Sequence, residues 1–474
     1  MREFCVLYTH KLKQMKEESL KRAIEQQIEL WAQRPERPLL LRGARRVGKT
    51  YVVESVGKRV AGDQFVKLDF QTDLDLVAPL FNGPTDDVDA IMRRIAEYKR
   101  VPLDRERSFI LFDEVQLCER ALNSLRFFSG SGWRVAATGS QLGVATRRRR
   151  LPFPSGVQQE TLHPLSFEEF LWAMGEEAMP GDIRRHAETL EPYPAHRRAL
   201  ELFRCYLVIG GLPAAVAAYI DGHDIDAARV QQREVDDIYT ADMTDPDSGI
   251  SAVAVRKVWR SIPAQLLRAS TKKFKYAEVE RGGRRTKLME PIGWLASAGM
   301  VSVNELTTCT VAPLVPYDED EGSFFKVYLA DTGLMFYKLA VNPRLWLEAE
   351  SSSNLPVSAD FRGALAENAV MQALAANDLQ TFYWAPPSSW GGTGELDFLL
   401  QDDEMRVIPV EVKSARSVRA RTLATFMDHA HSPYAVILSE RDFGRSVDDD
   451  GREIRELPHY AAFCLGERCR KAPL

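Results

Sequence analysis

Gly43-Ala44-Arg45-Arg46-Val47-Gly48-Lys49-Thr50 constrains this chain more than any other stretch, because its two flanks give the motif a shape. Before it, Arg37-Pro38-Leu39-Leu40-Leu41-Arg42 is a short apolar run bounded by proline and charge, which predicts a buried strand. After it, Tyr51-Val52-Val53-Glu54-Ser55-Val56 spaces its apolar residues as a helix does. Strand, loop and helix in that order turn successive backbone N–H groups into one concavity, and the helix N-terminus adds partial positive charge. Such a loop cradles phosphate. Lys49 is expected to reach the β- and γ-phosphates of a nucleoside triphosphate, and the Thr50 hydroxyl to ligate Mg²⁺. A chance match in a glycine-rich turn would lack this strand and helix.

A second acidic motif fits the same chemistry. Ser108-Phe109-Ile110-Leu111-Phe112-Asp113-Glu114 is an apolar strand ending in two acids. At the carboxyl end of a parallel strand, Asp113 is expected to hold the Mg²⁺ shell and Glu114 to polarise the attacking water as general base. Trp133-Arg134-Val135-Ala136-Ala137-Thr138-Gly139-Ser140 is a further strand. If it lies between the first two, its terminal hydroxyls, Ser140 included, reach the γ-phosphate or the water; an ordinary strand-end turn is the plainer alternative. Just beyond it, Thr146-Arg147-Arg148-Arg149-Arg150 reads either as solvated surface, or as an arginine finger for a neighbour or a contact to nucleic-acid phosphates.

At 474 residues the chain is too long for one core and should divide into about three domains. The expected order is an N-terminal helix (1–34), a nucleotide core (35–160), a helical lid (161–245), a winged helix-turn-helix (246–345) and a C-terminal α/β domain (355–474). The net charge of −5 gives no global nucleic-acid signal, so any DNA contact must come from local patches. No run approaches the roughly eighteen apolar residues of a membrane span. Met1-Arg2-Glu3-Phe4-Cys5 lacks a secretory layout, and the 6 cysteines are scattered without a Cys-x-x-Cys pair. Reduced thiols in a cytoplasm are the expectation, without structural zinc.

Within the lid, Ser166 and Glu169 form a capping box, and Ile209-Gly210-Gly211-Leu212-Pro213 forces a tight turn. In the next block, helices over Val253 to Leu267 and Arg285 to Ser297 precede two strand-like runs, Gly299-Met300-Val301-Ser302-Val303 and Phe324-Phe325-Lys326-Val327-Tyr328-Leu329. Helices followed by a two-stranded wing describe a winged helix. Lys272, Lys273, Lys275, Arg284 and Arg285, with Arg281 and Lys287, cluster at the second helix as candidate DNA contacts; a protein-facing module is the alternative.

The last block carries a second candidate site. Gly363-Ala364-Leu365-Ala366-Glu367-Asn368 is expected to open a helix, Gly394-Glu395-Leu396-Asp397-Phe398 is a strand carrying an acid, and Val410-Glu411-Val412-Lys413 ends the next strand. Alternation puts Glu411 and Lys413 on one face. Asp397 and Glu411 have the residue types that ligate a divalent metal for phosphodiester hydrolysis, Lys413 would orient the water, and Glu367 adds a carboxylate.

Taken together, these residues resemble a family of bacterial and archaeal AAA-like ATPases with a C-terminal domain of unknown function. The matching stretches are Leu-Arg-Gly-Ala-Arg-Arg-Val-Gly-Lys-Thr, Phe-Asp-Glu-Val-Gln, Ala-Thr-Gly-Ser-Gln-Leu-Gly-Val, His-Pro-Leu-Ser-Phe-Glu-Glu-Phe-Leu, Ile-Gly-Gly-Leu-Pro, Lys-Phe-Lys-Tyr, Leu-Ala-Asp-Thr-Gly-Leu, Glu-Leu-Asp-Phe and Val-Glu-Val-Lys. The resemblance implies an α/β fold: a P-loop NTPase parallel sheet with helical lid, then a winged helix, then a restriction-endonuclease-like domain. It implies ATP and Mg²⁺ at Lys49, Thr50, Asp113 and Glu114, and a second site at Asp397, Glu411 and Lys413. Two positions depart from the pattern: Arg46 stands where Gln is common, and Val157 where a basic residue usually follows the glycine. If that basic residue senses phosphate, its role passes to Arg147 to Arg150 or is lost. The expected activity is an ATP-dependent switch acting on nucleic acid; the alternative is a regulatory ATPase whose C-terminal half binds a protein partner, or a further copy of the chain, and cuts nothing.

Overall fold

The computed structural model describes residues 20–140, 155–244, 250–268, 272–317, 324–348, 357–387, 394–413 and 421–466. Helix α1 (Ile24–Gln33) leads into β1 (Leu39–Arg42), the loop, and α2 (Lys49–Ala61). Strands β2 (Phe65–Asp69), β3 (Phe109–Asp113), β4 (Arg134–Gly139) and β5 (Gln158–Thr161) complete a parallel sheet in the order β2-β3-β4-β1-β5. Alternation along these strands fills two cores. Leu39, Leu41, Phe109, Leu111 and Ala136 face one side with α1 and α2, while Leu40, Ile110, Phe112, Val135 and Ala137 face the other with α3 (Val88–Lys99). A sheet covered on both faces needs continuous apolar runs rather than alternating ones, and β3 is buried at every position. β4 lies between β3 and β1, so the strand ends at Arg42, Asp113 and Gly139 meet at one sheet edge.

The helical segment runs through α4 (Phe167–Ala173), α5 (Met179–Thr189), α6 (His196–Ile209), α7 (Pro213–Ile220) and α8 (Ile225–Asp242). The capping box forms as the sequence suggests: Glu169 N–H donates to Ser166 Oγ (3.3 Å) and Ser166 N–H to Glu169 Oε2 (2.9 Å). Next come α9 (Ala252–Leu266), a short α10 (Tyr276–Val279) and α11 (Arg285–Ser297), followed by β6 (Val301–Thr307) and β7 (Phe325–Leu329), which pair antiparallel.

This pair does not stand apart as a wing. β6 also pairs in parallel with β8 (Phe382–Trp384), Glu305 opposite Phe382, and β8 continues into β9 (Leu396–Gln401), β10 (Val407–Val412), β11 (Ala435–Ser439), β12 (Gly444–Val447) and β13 (Glu453–Pro458). Among the described residues the result is one eight-stranded mixed sheet, ordered β12-β13-β11-β10-β9-β8-β6-β7. The division expected between 345 and 355 therefore falls between elements of a single sheet. Helix α12 (Thr332–Lys338) follows β7, and α13 (Ala359–Ala376) lies against the sheet. α13 starts at Ala359, so the acid-bearing stretch Gly363–Asn368 lies inside the helix instead of opening it. Its Asn368 side chain binds Leu329 N and O at 2.9 and 3.0 Å, which fixes the end of β7.

Candidate nucleotide site and C-terminal carboxylate cluster

Two glycines shape the loop after β1. A Cβ on Gly43 (φ 151°) would lie 2.2 Å from Leu162 O, and Gly48 (φ 94°) takes the left-handed conformation at the start of α2. Side chains at either would strain the turn. Lys49, 4% exposed, donates from Nζ to Gly43 O (3.1 Å), Ala44 O (2.8 Å) and Ser140 Oγ (3.3 Å). Burial lowers its pKa to about 8, with Glu114 and Asp113 pulling the other way.

Asp113 is the hub beneath the loop. Its Oδ1 accepts from Thr50 Oγ1 (2.7 Å) and Thr138 Oγ1 (2.5 Å), and Lys67 Nζ lies 3.0 Å from its Oδ2. The Thr50 hydroxyl and Asp113 carboxylate thus present hard oxygen donors at one point, a set that fits Mg²⁺. Glu114 sits one residue on, at a left-handed turn (φ 55°). Its Oε1 accepts from Ser140 Oγ (2.6 Å), and its Oε2 from Ser140 N (3.1 Å) and Gln116 Nε2 (2.6 Å). Burial pushes the Glu114 pKa up, but Lys49 and these hydrogen bonds outweigh it, so the carboxyl titrates below its usual range and stays ionised. A base held ionised beside a phosphate-binding lysine can accept a proton from water.

Sequence reasoning placed Lys49, Thr50, Asp113, Glu114 and Ser140 here, and the structure brings all five together. The Thr138 hydroxyl, read as one of the strand-end hydroxyls, turns instead to Asp113; sequence reasoning missed Lys67, Gln116 and Arg22. The Arg22 guanidinium, 4% exposed, donates to Val47 O (2.9 Å), His163 O (2.7 Å) and Glu169 Oε1 (3.1 Å), tying the loop to the helical segment. Other parts of the chain hold the loop as well. Arg45 pairs with Asp242 at 2.6 Å, Tyr239 OH donates to Arg45 O (3.0 Å), and a Cβ on Gly299 would lie 3.0 Å from Ala44 N. Arg46, at φ 66°, is exposed at the loop's crest. The Arg147–Arg150 run lies outside the described residues, and Val157 is buried in the core on the α3 side of the sheet, where it packs and senses nothing.

The C-terminal residues meet differently from expectation. Glu367 on α13 is 1% exposed and accepts from Lys326 Nζ (3.1 Å), from Lys272 and from Tyr328 OH. Lys326 also lies 3.5 Å from Asp397 Oδ1, while Asp397 Oδ2 accepts Val412 N–H at 2.9 Å. Lys413 is paired with Glu411, whose other oxygen, Oε2, is buried without a hydrogen-bond partner. Burial pushes Asp397 and Glu411 upward, with Glu367 raising Asp397 further and Asp397 raising Glu411. Glu367 goes the other way: burial alone would raise it, but Lys272 and Lys326 hold it below the usual carboxylate range. Among the described residues no three His, Cys, Asp or Glu side chains group to hold a metal ion. An ammonium, Lys326, stands between Glu367 and Asp397 and pairs with both, while Glu411 pairs with Lys413.

The same contacts revise the basic cluster. Lys272 is committed to Glu367, and Lys273 to Glu395 at 2.8 Å, so both are inter-element ties. Lys275, Arg281, Arg284 and Lys287 are exposed, and Arg285 is half-buried at the first turn of α11.

Three family models match this chain. Residues 35–171 match an AAA domain, 200–345 a domain of unknown function (DUF8612) and 362–460 a domain of unknown function (DUF4143). No curated protein matches. Among solved structures, the Walker-type ATPase paby2304 of Pyrococcus abyssi is 13% identical with TM-score 0.40, over 68% of this chain and 97% of that one. Cdc6p from Pyrobaculum aerophilum is 13% identical with TM-score 0.24 (66% and 92%), and Drosophila ORC bound to DNA 12% with TM-score 0.23 (67% and 94%). No helix among the described residues is long and apolar enough to cross a membrane. The AAA match covers the loop, Asp113, Glu114 and Ser140, the third match begins at the helix bearing Glu367, and the chain thus joins an AAA domain to a C-terminal domain of unknown function.

Proposed function

We propose that this chain binds ATP with Mg²⁺, hydrolyses the β–γ bond, and uses the nucleotide state to move a cationic rim that contacts nucleic acid, without cutting it. Lys49 would meet the β- and γ-phosphates, which offer its ammonium stronger partners than the two loop carbonyls it now holds. Thr50 and Asp113 would hold Mg²⁺, which when bound neutralises charge between the phosphates. Glu114 would take the proton of the attacking water, and Ser140, on the same carboxylate, would set its position.

The observation that carries the switch is α11. Its 13 residues span roughly 20 Å. At its start lie Arg284 and Arg285, with Arg281 nearby, while Lys287 in its first turn is paired with Glu280; two residues past its end, Gly299 lies against Ala44 of the loop. A shift of the loop on phosphate binding therefore bears on a rigid element whose other end is cationic. The non-cutting reading rests on Lys326 among the C-terminal carboxylates.

The test is ATPase rate and DNA binding, with single- and double-stranded DNA across a salt series, for wild type and the combined Arg281→Gln, Arg284→Gln, Arg285→Gln variant. DNA should stimulate the wild type, and the variant should bind more weakly with a shallower salt dependence, by about 0.9 in slope per lost phosphate contact. Wild-type rate indifferent to DNA, with no binding at low salt, would make this rim a protein-facing surface.

A further inference from the structure

Lys67 is a cation in the middle of β2, between buried Val66 and Leu68, and no nucleotide motif claims it. β2 is the edge strand of the ATPase sheet, with Asp69 in register with Asp113 of β3. From there Lys67 Nζ faces three carboxylates: Asp113 Oδ2 at 3.0 Å, Asp69 Oδ2 at 3.7 Å and Glu54 Oε2, from α2, at 3.8 Å. All three acids have other partners: Asp69 Oδ1 the N–H groups of Gln71 (2.9 Å) and Thr72 (3.0 Å), Glu54 Oε1 Lys58 (2.7 Å), and Asp113 Oδ1 two hydroxyls. The shortest contact falls on the acid whose other oxygen receives Thr50 and Thr138. The lysine thus sits on the far side of the carboxylate that fits Mg²⁺, with its side chain 27% exposed.

We propose that Lys67 is a positioning residue that stands in for part of the metal's charge at Asp113, so that nucleotide is captured before Mg²⁺ and a higher Mg²⁺ concentration is needed to complete the site. The proposal rests on the ATP-binding reading above. Its physical content is a pair of opposite signs. With the ammonium removed, three acids lose their shared cation, so a polyanionic nucleotide without metal binds less well while Mg²⁺ binds better. A plain structural ion pair predicts neither change. For a partly exposed site, one unit charge beside a divalent ion is worth roughly tenfold in binding.

The experiment is a fluorescent ATP analogue titrated in EDTA, then Mg²⁺ titrated into the protein–nucleotide complex, for wild type, Lys67→Met, Lys67→Gln and Lys67→Arg, with circular dichroism to show that each is folded. The neutral variants should bind metal-free nucleotide about tenfold more weakly and reach half-saturation at about tenfold less Mg²⁺. Lys67→Arg should stay close to wild type in both. A folded neutral variant with an unchanged Mg²⁺ midpoint overturns the proposal and leaves Lys67 an ordinary ion pair. Wild-type protein that binds no nucleotide in either condition overturns the ATP reading itself. If Lys67→Met does not fold, Lys67→Gln, of nearly the same length and able to hydrogen bond, decides between these outcomes.

Discussion

Removing the ammonium of Lys326 tests whether the C-terminal carboxylates are a latch or a metal site. In Lys326→Met the stem is kept and the charge lost, leaving Glu367, 1% exposed, and Asp397 without their shared cation. Breaking one side of a buried ion pair costs about 3–5 kcal/mol. Glu367 keeps Lys272 and the Tyr328 hydroxyl, so the lower end applies, about 3 kcal/mol. At roughly 2–4 °C per kcal/mol for a unit of 150–250 residues, Tm should fall by about 6–12 °C. Adding Glu367→Gln should return most of that loss, because the stranded charge goes with it. Thermal unfolding by circular dichroism at neutral pH, with and without Mn²⁺, reads both effects. The sign with pH follows from the two shifts. Lys326 is raised above its ordinary value by Glu367 and Asp397 despite its burial, so its contribution persists far into alkali. Glu367 is depressed, so its contribution is full above the ordinary glutamate range and fades only as pH falls below about 4.3. Mn²⁺ should change the Tm of the wild type and of Asp397→Ala alike. A Mn²⁺-dependent rise in wild-type Tm that vanishes in Asp397→Ala would refute the latch and restore the metal site, and so would an unchanged Tm in Lys326→Met.

Lys49→Ala should lose most nucleotide affinity by fluorescence titration, whereas Glu114→Gln should keep it and lose about 10²–10⁴-fold in turnover, since Glu114 acts only on the water; equal turnover in wild type and Glu114→Gln would remove Glu114 from that role. Asp331, 1% exposed and bound by Gly211 N (2.6 Å) and Leu334 N (2.9 Å), is pushed up to about 6 by burial. A raised carboxyl favours the fold while protonated, so its contribution is present below pH 4, is lost as pH rises through 6, and amounts to about 3 kcal/mol; Asp331→Asn should erase that part of the Tm-versus-pH curve, and an unaltered curve would count against the assignment.

What was legible in the sequence is what local spacing fixes. The loop from Gly43 to Thr50, the β3 strand ending in Asp113 and Glu114, and the Ser166/Glu169 capping box each depend on residues within a few positions of one another. What was not legible depends on distant partners. Lys272 reads as one charge in a basic run, and only the fold brings it to Glu367, 95 residues away. The pairing of Glu305 with Phe382 joins β6 to a sheet whose other strands come later in the chain, and a two-strand pattern cannot announce that. β5 went unread because Gln158–Thr161 is polar, an edge strand defined by β1 rather than by its own apolar run. Lys67 did leave a signal, a cation on the half-exposed face of β2 with Asp69 two residues on, but its meaning required the neighbouring strand.

These long-range contacts converge on the loop, and that convergence explains why blocks distinguishable by composition should act as one unit. Arg22 holds Val47 from the N-terminal side, Asp242 holds Arg45 from the end of α8, Pro213 packs beside Gly48, and Gly299 lies against Ala44. The turn before Pro213 is in turn gripped by Asp331, and a Cβ on Gly210 would lie 2.3 Å from that carboxylate. From Asp331 the path continues through α12, whose Thr332 N–H donates to Gln372 of α13 at 2.9 Å, while Gln372 Nε2 donates to the Tyr206 hydroxyl at 2.8 Å. Tyr206 closes the circuit by donating to Leu165 O at 2.6 Å, beside the turn itself. The hydrogen bonds from Asp331 round to Leu165 are buried and directional, so moving one member leaves another polar group unpaired, at about 1–3 kcal/mol apiece. A loop held this way has few small adjustments available. When phosphate draws Lys49 away from Gly43 and Ala44, the strain must be shared among α8, α11 and the turn at Gly210, and that shared response is what a nucleotide-driven switch in this architecture would consist of.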